Sequence, residues 1–245
     1  LINQTSPDLP RRALVTGASR GIGKATALAL ADAGFDLALV SRSLDHLTDT
    51  LAALKANSVQ AKGYAVDLSH LEDIQPKFAS IVDDFGPFQV LVNNAGMGYT
   101  GPLATMPLQD WRQVMDLNIT SIFECTKAVL PSMRATKCGT IVNVASIAAK
   151  SAFPDWGAYT VSKAGLVALS KVLSAEERAN GIRVVTIFPG AVNTPIWDTD
   201  TVNADFDRSK MLTPDVVAQA ILDTVLLPQQ AVIEELTLMP SAGAF

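Results

Sequence analysis

The sequence predicts an α/β fold in which a doubly wound, seven-stranded parallel sheet is covered by helices on both faces. Three observations lead there. Short β-branched runs alternate with longer segments of helical period, the pattern of repeated βα units. Most of those runs are continuously apolar, as strands buried on both faces have to be. The residues able to do chemistry fall just after strands, where the ligand crevice of an open α/β sheet lies.

In chain order, strands are expected at Ala13–Thr16, Asp36–Ser41, Gln60–Ala65, Val90–Asn93, Thr140–Ala145, Arg183–Phe188 and Val232–Leu238. Helices are expected at Ile22–Ala33, Leu44–Ala56, His70–Phe85, Leu108–Met133, Ala158–Asn180 and Pro214–Leu226. No repeat, low-complexity tract or linker divides the chain, so one domain over residues 1–245 is expected. Residues 1–10 read as a loose tail, without the basic and apolar regions of an export signal. Pro189–Thr213 has weak periodicity, and a loop that long is often functional. Its residues 190–213 are read as an insertion that shapes a substrate site.

Composition narrows the function classes. With 49% hydrophobic residues in 245, the chain can bury a substantial core. Nineteen basic residues against twenty-four acidic ones give a net charge of −5, so no polycationic surface invites a nucleic-acid backbone. The alanine-rich stretch Ala25–Val40 is broken by Asp32, Gly34 and Asp36, too often for a membrane span of about 20 apolar residues. Two cysteines, Cys125 and Cys138, have neither metal-ligand spacing nor disulfide density. They are read as structural, no metal is expected, and the expected location is the cytoplasm.

The most informative motif is Thr16-Gly17-Ala18-Ser19-Arg20-Gly21-Ile22-Gly23, between the first strand and the first helix. Its glycines permit a tight turn and close backbone approach to a pyrophosphate at the helix N-terminus. Taken alone it could also be an ordinary loop. Further along, Tyr159 and Lys163 lie four apart and so share a helix face. A lysine ammonium beside the phenol favours phenolate, lowering a value that is ordinarily near pH ~10. An isolated Tyr-x-x-x-Lys is equally an amphipathic tyrosine and a solvated lysine.

The spacing Gly-x-x-x-Gly-x-Gly resembles that of the short-chain dehydrogenase/reductase family, and the resemblance covers nearly the whole chain. Asn93-Asn94-Ala95-Gly96, Asn118, Ser146, Tyr159 with Lys163, Pro189-Gly190 and Thr194 follow in the family's order. It implies a Rossmann-like fold and hydride transfer between a nicotinamide and a carbonyl or alcohol carbon. By the same resemblance Tyr159 donates the proton, Ser146 polarises the substrate oxygen, and Lys163 also holds the nicotinamide ribose. Asn118 would maintain a proton path through that lysine, although its side chain could instead cap a local kink.

For the cofactor, the resemblance implies that Gly17, Ser19, Gly21, Ile22 and Gly23 cradle the pyrophosphate and that Asn94, Ala95 and Gly96 pass the adenosine ribose. Asp67 and Leu68 would meet adenine, with Asp67 equally readable as a helix cap. Pro189, Gly190, Val192 and Thr194 would turn beneath the nicotinamide. The acid about 20 residues past the glycines that would bind a ribose 2′-hydroxyl is missing. Ser41-Arg42 stands there instead, and Arg42 with Arg20 can pair with a 2′-phosphate through planar guanidinium groups. NADP(H) is therefore expected over NAD(H).

Ile147, Phe153, Trp156, Ile196 and Trp197, with the rest of the Ile196–Leu212 loop, are expected to form an apolar substrate pocket, although the aromatics could simply pack the loop. The expected substrate is a ketone, aldehyde or hydroxy acid. Two alternatives stay open: a 3-oxoacyl-[acyl-carrier-protein] reductase, and a nucleotide-binding redox sensor without turnover. The C-terminal Glu234-Glu235-Leu236-Thr237-Leu238-Met239-Pro240-Ser241 departs from the Val-Asp-Gly-Gly-like ending usual in those reductases. A homo-oligomer, tetramer or dimer, is the family's implication. The apolar repeat Leu166, Leu169, Val172, Leu173 fits that and fits packing on the sheet equally.

Overall fold

A computed structural model describes residues 10–243; the expected tail, apart from Pro10, lies outside the described residues. Seven strands form one sheet: β1 (Arg12–Thr16), β2 (Asp36–Ser41), β3 (Ala61–Ala65), β4 (Val90–Asn93), β5 (Gly139–Val144), β6 (Ile182–Pro189) and β7 (Glu235–Leu238). Every pairing is parallel, in the order β3-β2-β1-β4-β5-β6-β7. The chain winds outward in both directions from β1 and β4, so a crevice opens at the carboxyl ends of these two neighbours.

The helices are α1 (Gly21–Asp32), α2 (Thr48–Leu54), α3 (Leu71–Phe85), α4 (Leu108–Met115), α5 (Ser121–Thr136), α6 (Gly157–Glu177) and α7 (Pro214–Val225). Strand alternation divides the core between two faces. Ala13, Val15, Leu37, Leu39, Val90, Val92, Val142 and Val185 pack with residues of α1, α2 and α7. Leu14, Ala38, Val40, Leu91, Ile141 and Val184 point the other way, toward α3, α5 and Leu173 of α6. Burial on both faces is why the central strands read as unbroken apolar runs.

Three expected elements are corrected. The span Leu108–Met133 is not one α-helix, because a π-helical turn, Asp116–Thr120, separates α4 from α5. The span Leu44–Ala56 begins with a 3-10 turn at Asp45–Leu47, and α2 ends at Leu54. The last strand is shorter than Val232–Leu238. Its ladder to β6 starts at Thr186↔Glu235, and Val232 remains 41% exposed. The long segment after β6 is held by two 3-10 turns, Pro195–Asp198 and Arg208–Lys210, and by a parallel bridge between Val192 and Leu212.

A chain of polar groups crosses the buried centre of the sheet. Asn93 Nδ2 donates to Asn143 Oδ1 at 2.9 Å, and Asn143 Nδ2 donates to Ser170 Oγ on α6 at 2.8 Å. Ser170 Oγ in turn donates to the Leu166 carbonyl at 2.7 Å. Asn93 and Asn143 face each other directly in the β4–β5 register. Cys125 is buried and Cys138 half-buried, both as free thiols, and burial pushes both thiol pKa values up. Among the described residues, no helix is long and apolar enough to cross a membrane, and no cluster of His, Cys, Asp and Glu could hold a metal ion.

Candidate active site

The carboxyl ends of the strands enclose a cleft of about 760 Å³. Its floor at one end is the turn between β1 and α1. Gly17 and Gly21 there have φ of +64° and +56°, a left-handed conformation that side-chain-bearing residues rarely adopt. A Cβ on Gly23 would lie 2.2 Å from the Gly17 carbonyl oxygen and 2.5 Å from Asn94 Nδ2. Asn94 explains that crowding: its Nδ2 donates to the carbonyls of Thr16 and Gly17, at 3.1 and 3.2 Å, and ties β4 to the turn. Thr16 Oγ1 accepts from the backbone N–H groups of Asn94 and Ala95.

Arg20 and Arg42 are exposed beside this turn, and neither is paired with a carboxylate among the described residues. Asp67 closes the same end. Burial works to raise its carboxyl, but hydrogen bonds from the Ser69 backbone N–H and hydroxyl, with His70 and Arg42 nearby, hold its pKa below the ordinary value. Asp67 therefore shapes a turn ahead of α3 while still lining the cleft.

At the other end, Ser146 from the end of β5 meets Tyr159 and Lys163 from the first turns of α6. Ser146 Oγ accepts from the Ala148 N–H at 3.1 Å, which orients the hydroxyl. Lys163 is 4% exposed, and its Nζ donates to the Val144 carbonyl at 2.9 Å. Burial lowers its pKa to about 8. The Tyr159 ring is half-exposed while its hydroxyl is enclosed. Burial pushes the phenol pKa up, against a smaller downward pull from hydrogen bonding with Ser146. The expected lowering by Lys163 is not what the structure gives. The ammonium is directed at a backbone carbonyl, 5.8 Å from the Tyr159 ring centroid, and desolvation of the phenol outweighs it.

Asn118 and Gly23 are the two expected site residues that do not reach the cleft wall. Gly23 lies beneath the turn, where it admits the backbone of Gly17. Asn118 is fully buried in the π-helical turn. Its Oδ1 accepts from the Met97 N–H at 2.9 Å, and its Nδ2 donates to the Met97 carbonyl at 2.9 Å and to Ser162 Oγ at 3.0 Å. A Cβ on Gly96 would lie 3.0 Å from Asn118 Oδ1 and 3.5 Å from Lys163 Nζ, so amide and amine both crowd the side of this glycine where a side chain would stand. Asn118 thus fixes the strand end after β4, on the side of Gly96 that Lys163 also approaches.

The remaining expected residues all line the cleft, namely Ser19, Ile22, Ser41, Leu68, Ala95, Pro189, Gly190, Val192, Thr194, Ile147, Phe153, Trp156, Ile196 and Trp197. Trp156 packs edge-on to both Tyr159 and Trp197, with centroids 5.3 and 5.8 Å apart, and Trp197 packs edge-on to Phe206 at 5.4 Å. Phe206, Met97, Gln113, Leu117 and Met239 also line the cleft and were not singled out from the sequence. Only Phe206 carried a signal, as an aromatic in the weakly periodic loop after β6.

Comparison with known proteins agrees with this geometry. Residues 11–204 match the family described as short chain dehydrogenase. A 3-oxoacyl-[acyl-carrier-protein] reductase from Synechocystis is 37% identical over 194 residues, covering 79% of this chain and 78% of that protein. The crystal structure of an alcohol dehydrogenase from Thermococcus sibiricus, complexed with 5-hydroxy-NADP, superposes with a TM-score of 0.87 at 29% identity, covering 95% of this chain and 97% of that one. A metagenomic short-chain oxidoreductase in complex with NADP superposes with a TM-score of 0.82 at 32% identity, covering 94% of this chain and 97% of the other.

Proposed function

The chain belongs to the short-chain dehydrogenase family, and from that premise we propose that it is an NADP(H)-dependent oxidoreductase interconverting a carbonyl and an alcohol carbon in a ketone, aldehyde or hydroxy acid. The observation that carries the reading is the convergence of Ser146, Tyr159 and Lys163 on one end of a cleft whose other end is a glycine turn flanked by unpaired arginines.

The residues present fit a dinucleotide. Left-handed glycines and the N-terminus of α1 leave room and backbone N–H groups for a pyrophosphate. Arg42 and Arg20, with Ser41, line the glycine-turn end and would hold a ribose 2′-phosphate there, while Asp67 with Leu68 would meet adenine. Gly21 and Thr194 meet on the cleft wall, a Cβ on the glycine coming within 3.2 Å of Thr194 Cγ2. Bound there, NADPH supplies the hydride.

What the chain itself supplies is proton control and position. A phenol whose pKa is raised keeps its proton near neutrality, so Tyr159 is ready to protonate a carbonyl oxygen as the carbon is reduced. Ser146 stabilises the developing negative charge on that oxygen. Lys163, its pKa lowered by burial to about 8, is fixed by its bond to the Val144 carbonyl at the tyrosine end of the cleft, where it would hold the nicotinamide ribose. Asn118 is a positioning residue, keeping the Gly96–Met97 backbone against Lys163.

The test is steady-state kinetics on a carbonyl panel with both cofactors. NADPH is expected to be preferred, and Arg42→Ala to raise its KM about tenfold or more while changing that for NADH little. Tyr159→Phe is expected to remove most turnover and to leave cofactor binding intact. Preference for NADH, or near-wild-type kcat in Tyr159→Phe, refutes the proposal. A second reading, reduction of carrier-bound 3-oxoacyl chains, is favoured by the Synechocystis relative. A dominant kcat/KM for such thioesters decides for it. NADP(H) binding without turnover of any carbonyl decides for a sensor. A homo-oligomer in the cytoplasm completes the proposal; sedimentation as a monomer at micromolar concentration contradicts the assembly.

A further inference from the structure

The substrate half of the cleft holds a selection of side chains that the proposed chemistry does not by itself require. Trp156, Trp197 and Phe206 form an edge-to-face corner against Tyr159. Trp197 Nε1 donates to the Val192 carbonyl at 2.7 Å, so the indole offers a ligand its π surface and not its N–H. The loop between Trp197 and Phe206 is tied to the segment after β4. Thr201 Oγ1 donates to the Gly98 carbonyl at 2.8 Å, the Thr100 N–H donates to the Thr201 carbonyl at 2.9 Å, and the Asn203 N–H donates to Thr100 Oγ1 at 2.7 Å.

Charge is distributed just as unevenly. Among the described lining residues the cations are Arg20, Arg42 and Lys163. The first two belong to the glycine-turn end, and Lys163 is buried against Val144. On the aromatic side the charged lining residue is Asp200. Two cations of the same loop are directed elsewhere. Arg208 pairs with Asp198 at 2.6 Å and donates to Asn193 and the Thr194 carbonyl, and Lys210 pairs with Asp207 at 3.2 Å. A substrate carboxylate or phosphate carried against the aromatic wall would lose water and meet no cation of that wall, where the charged side chain is the exposed Asp200.

We propose that this site selects uncharged carbonyl compounds bearing a flat apolar substituent, and rejects those carrying a carboxylate or phosphate near the carbonyl. The aromatic corner receives the substituent, and the missing cation with Asp200 supplies the rejection. This deepens the proposed function and rests on it, while removing hydroxy acids from its substrate range.

The test compares kcat/KM with NADPH for two matched pairs, methyl benzoylformate against benzoylformate and 4-phenyl-2-butanone against butanone. The ester is expected to exceed the acid by about 100-fold, and the phenyl ketone to exceed butanone by about 30-fold. Trp197→Ala is expected to reduce the second ratio about tenfold, and Asp200→Lys to narrow the first by a similar factor. Calorimetric titration of the same compounds into the NADP⁺-loaded protein reads binding apart from turnover. Aryl ketones that bind but are not reduced refute the proposed reaction and support the selectivity. Benzoylformate bound or reduced within about threefold of its ester overturns the selectivity and leaves the reaction standing. Failure of either neutral aryl compound to bind overturns the selectivity too.

Discussion

Replacing Asn118 with alanine tests whether the π-helical turn is a structural support for the site. Truncation removes one acceptor and two donated hydrogen bonds, and it orphans the Met97 N–H, the Met97 carbonyl and one bond to Ser162 Oγ. Asn118 is fully buried, whereas Met97 is half-buried on the cleft wall, so solvent reaches its freed groups only in part. Each buried backbone group left unpaired costs about 1–3 kcal/mol, and a water entering the vacated space recovers part of that. The expected net loss is about 2–4 kcal/mol, read from denaturant midpoints at unchanged m-value. Because Asn118 and Lys163 both pack against Gly96, turnover should fall too, with KM for the cofactor affected less than kcat. Asn118→Asp keeps the acceptor for the Met97 N–H but sets a buried carboxylate against the Met97 carbonyl, and should lose at least as much stability as the alanine variant. A stability loss below about 0.5 kcal/mol, within the range of surface substitutions, refutes the reasoning.

Three further outcomes follow from the same geometry. Gly23→Ala places a methyl 2.2 Å from the Gly17 carbonyl oxygen, so a loss of about 3 kcal/mol or more is expected in denaturant unfolding, together with weakened NADPH binding by calorimetry. Lys163 is lowered by burial from 10.5 to about 8, so the unfolded chain binds the extra proton between those pH values and stability rises with pH across that window. Between pH 7.5 and 9.5 the wild type should gain about 2 kcal/mol relative to Lys163→Met, and parallel curves would contradict a desolvated lysine. Thr16→Val removes the hydroxyl that accepts from the Asn94 and Ala95 N–H groups, and about 1–3 kcal/mol should be lost, checked by the shift in thermal midpoint.

The sheet was legible because its central strands lie between two helical layers. Double burial forces continuous runs such as those of β2 and β4, and a strand core needs no knowledge of its partners to be seen. The glycine turn was legible for the complementary reason, since its chemistry resides in local backbone conformation. What escaped depends on remote contacts. Nothing around Asp116–Thr120 breaks the helical pattern, because Met97 and Ser162, which hold Asn118, are distant in sequence. Val232 and Ile233 have strand-like side chains but no facing residues on β6. The raised Tyr159 pKa was hidden because helical spacing shows that Lys163 is a neighbour, not that the folded chain buries the phenol. Met97, Leu117 and Met239 carry no motif, and only the closing of the cleft gives them a place on its wall.

The Asn93–Asn143 pair has a bearing on how the sheet assembles correctly. β4 and the facing part of β5 offer Val90, Leu91 and Val92 to Thr140, Ile141 and Val142, which are nearly interchangeable as apolar surfaces. Sliding one strand by a single residue would turn every side chain to the wrong face, so a slip of two is the dangerous error. Such a slip would set Asn93 against Ile141, or Asn143 against Leu91, burying amides among aliphatic groups with their partner gone, at a cost of about 1–3 kcal/mol each. The two asparagines therefore act as an alignment mark between strands that hydrophobicity alone would not index. Parallel sheets form slowly through contacts distant in sequence, and such a mark separates the right pairing from its closest competitor while the rest of the core is still forming.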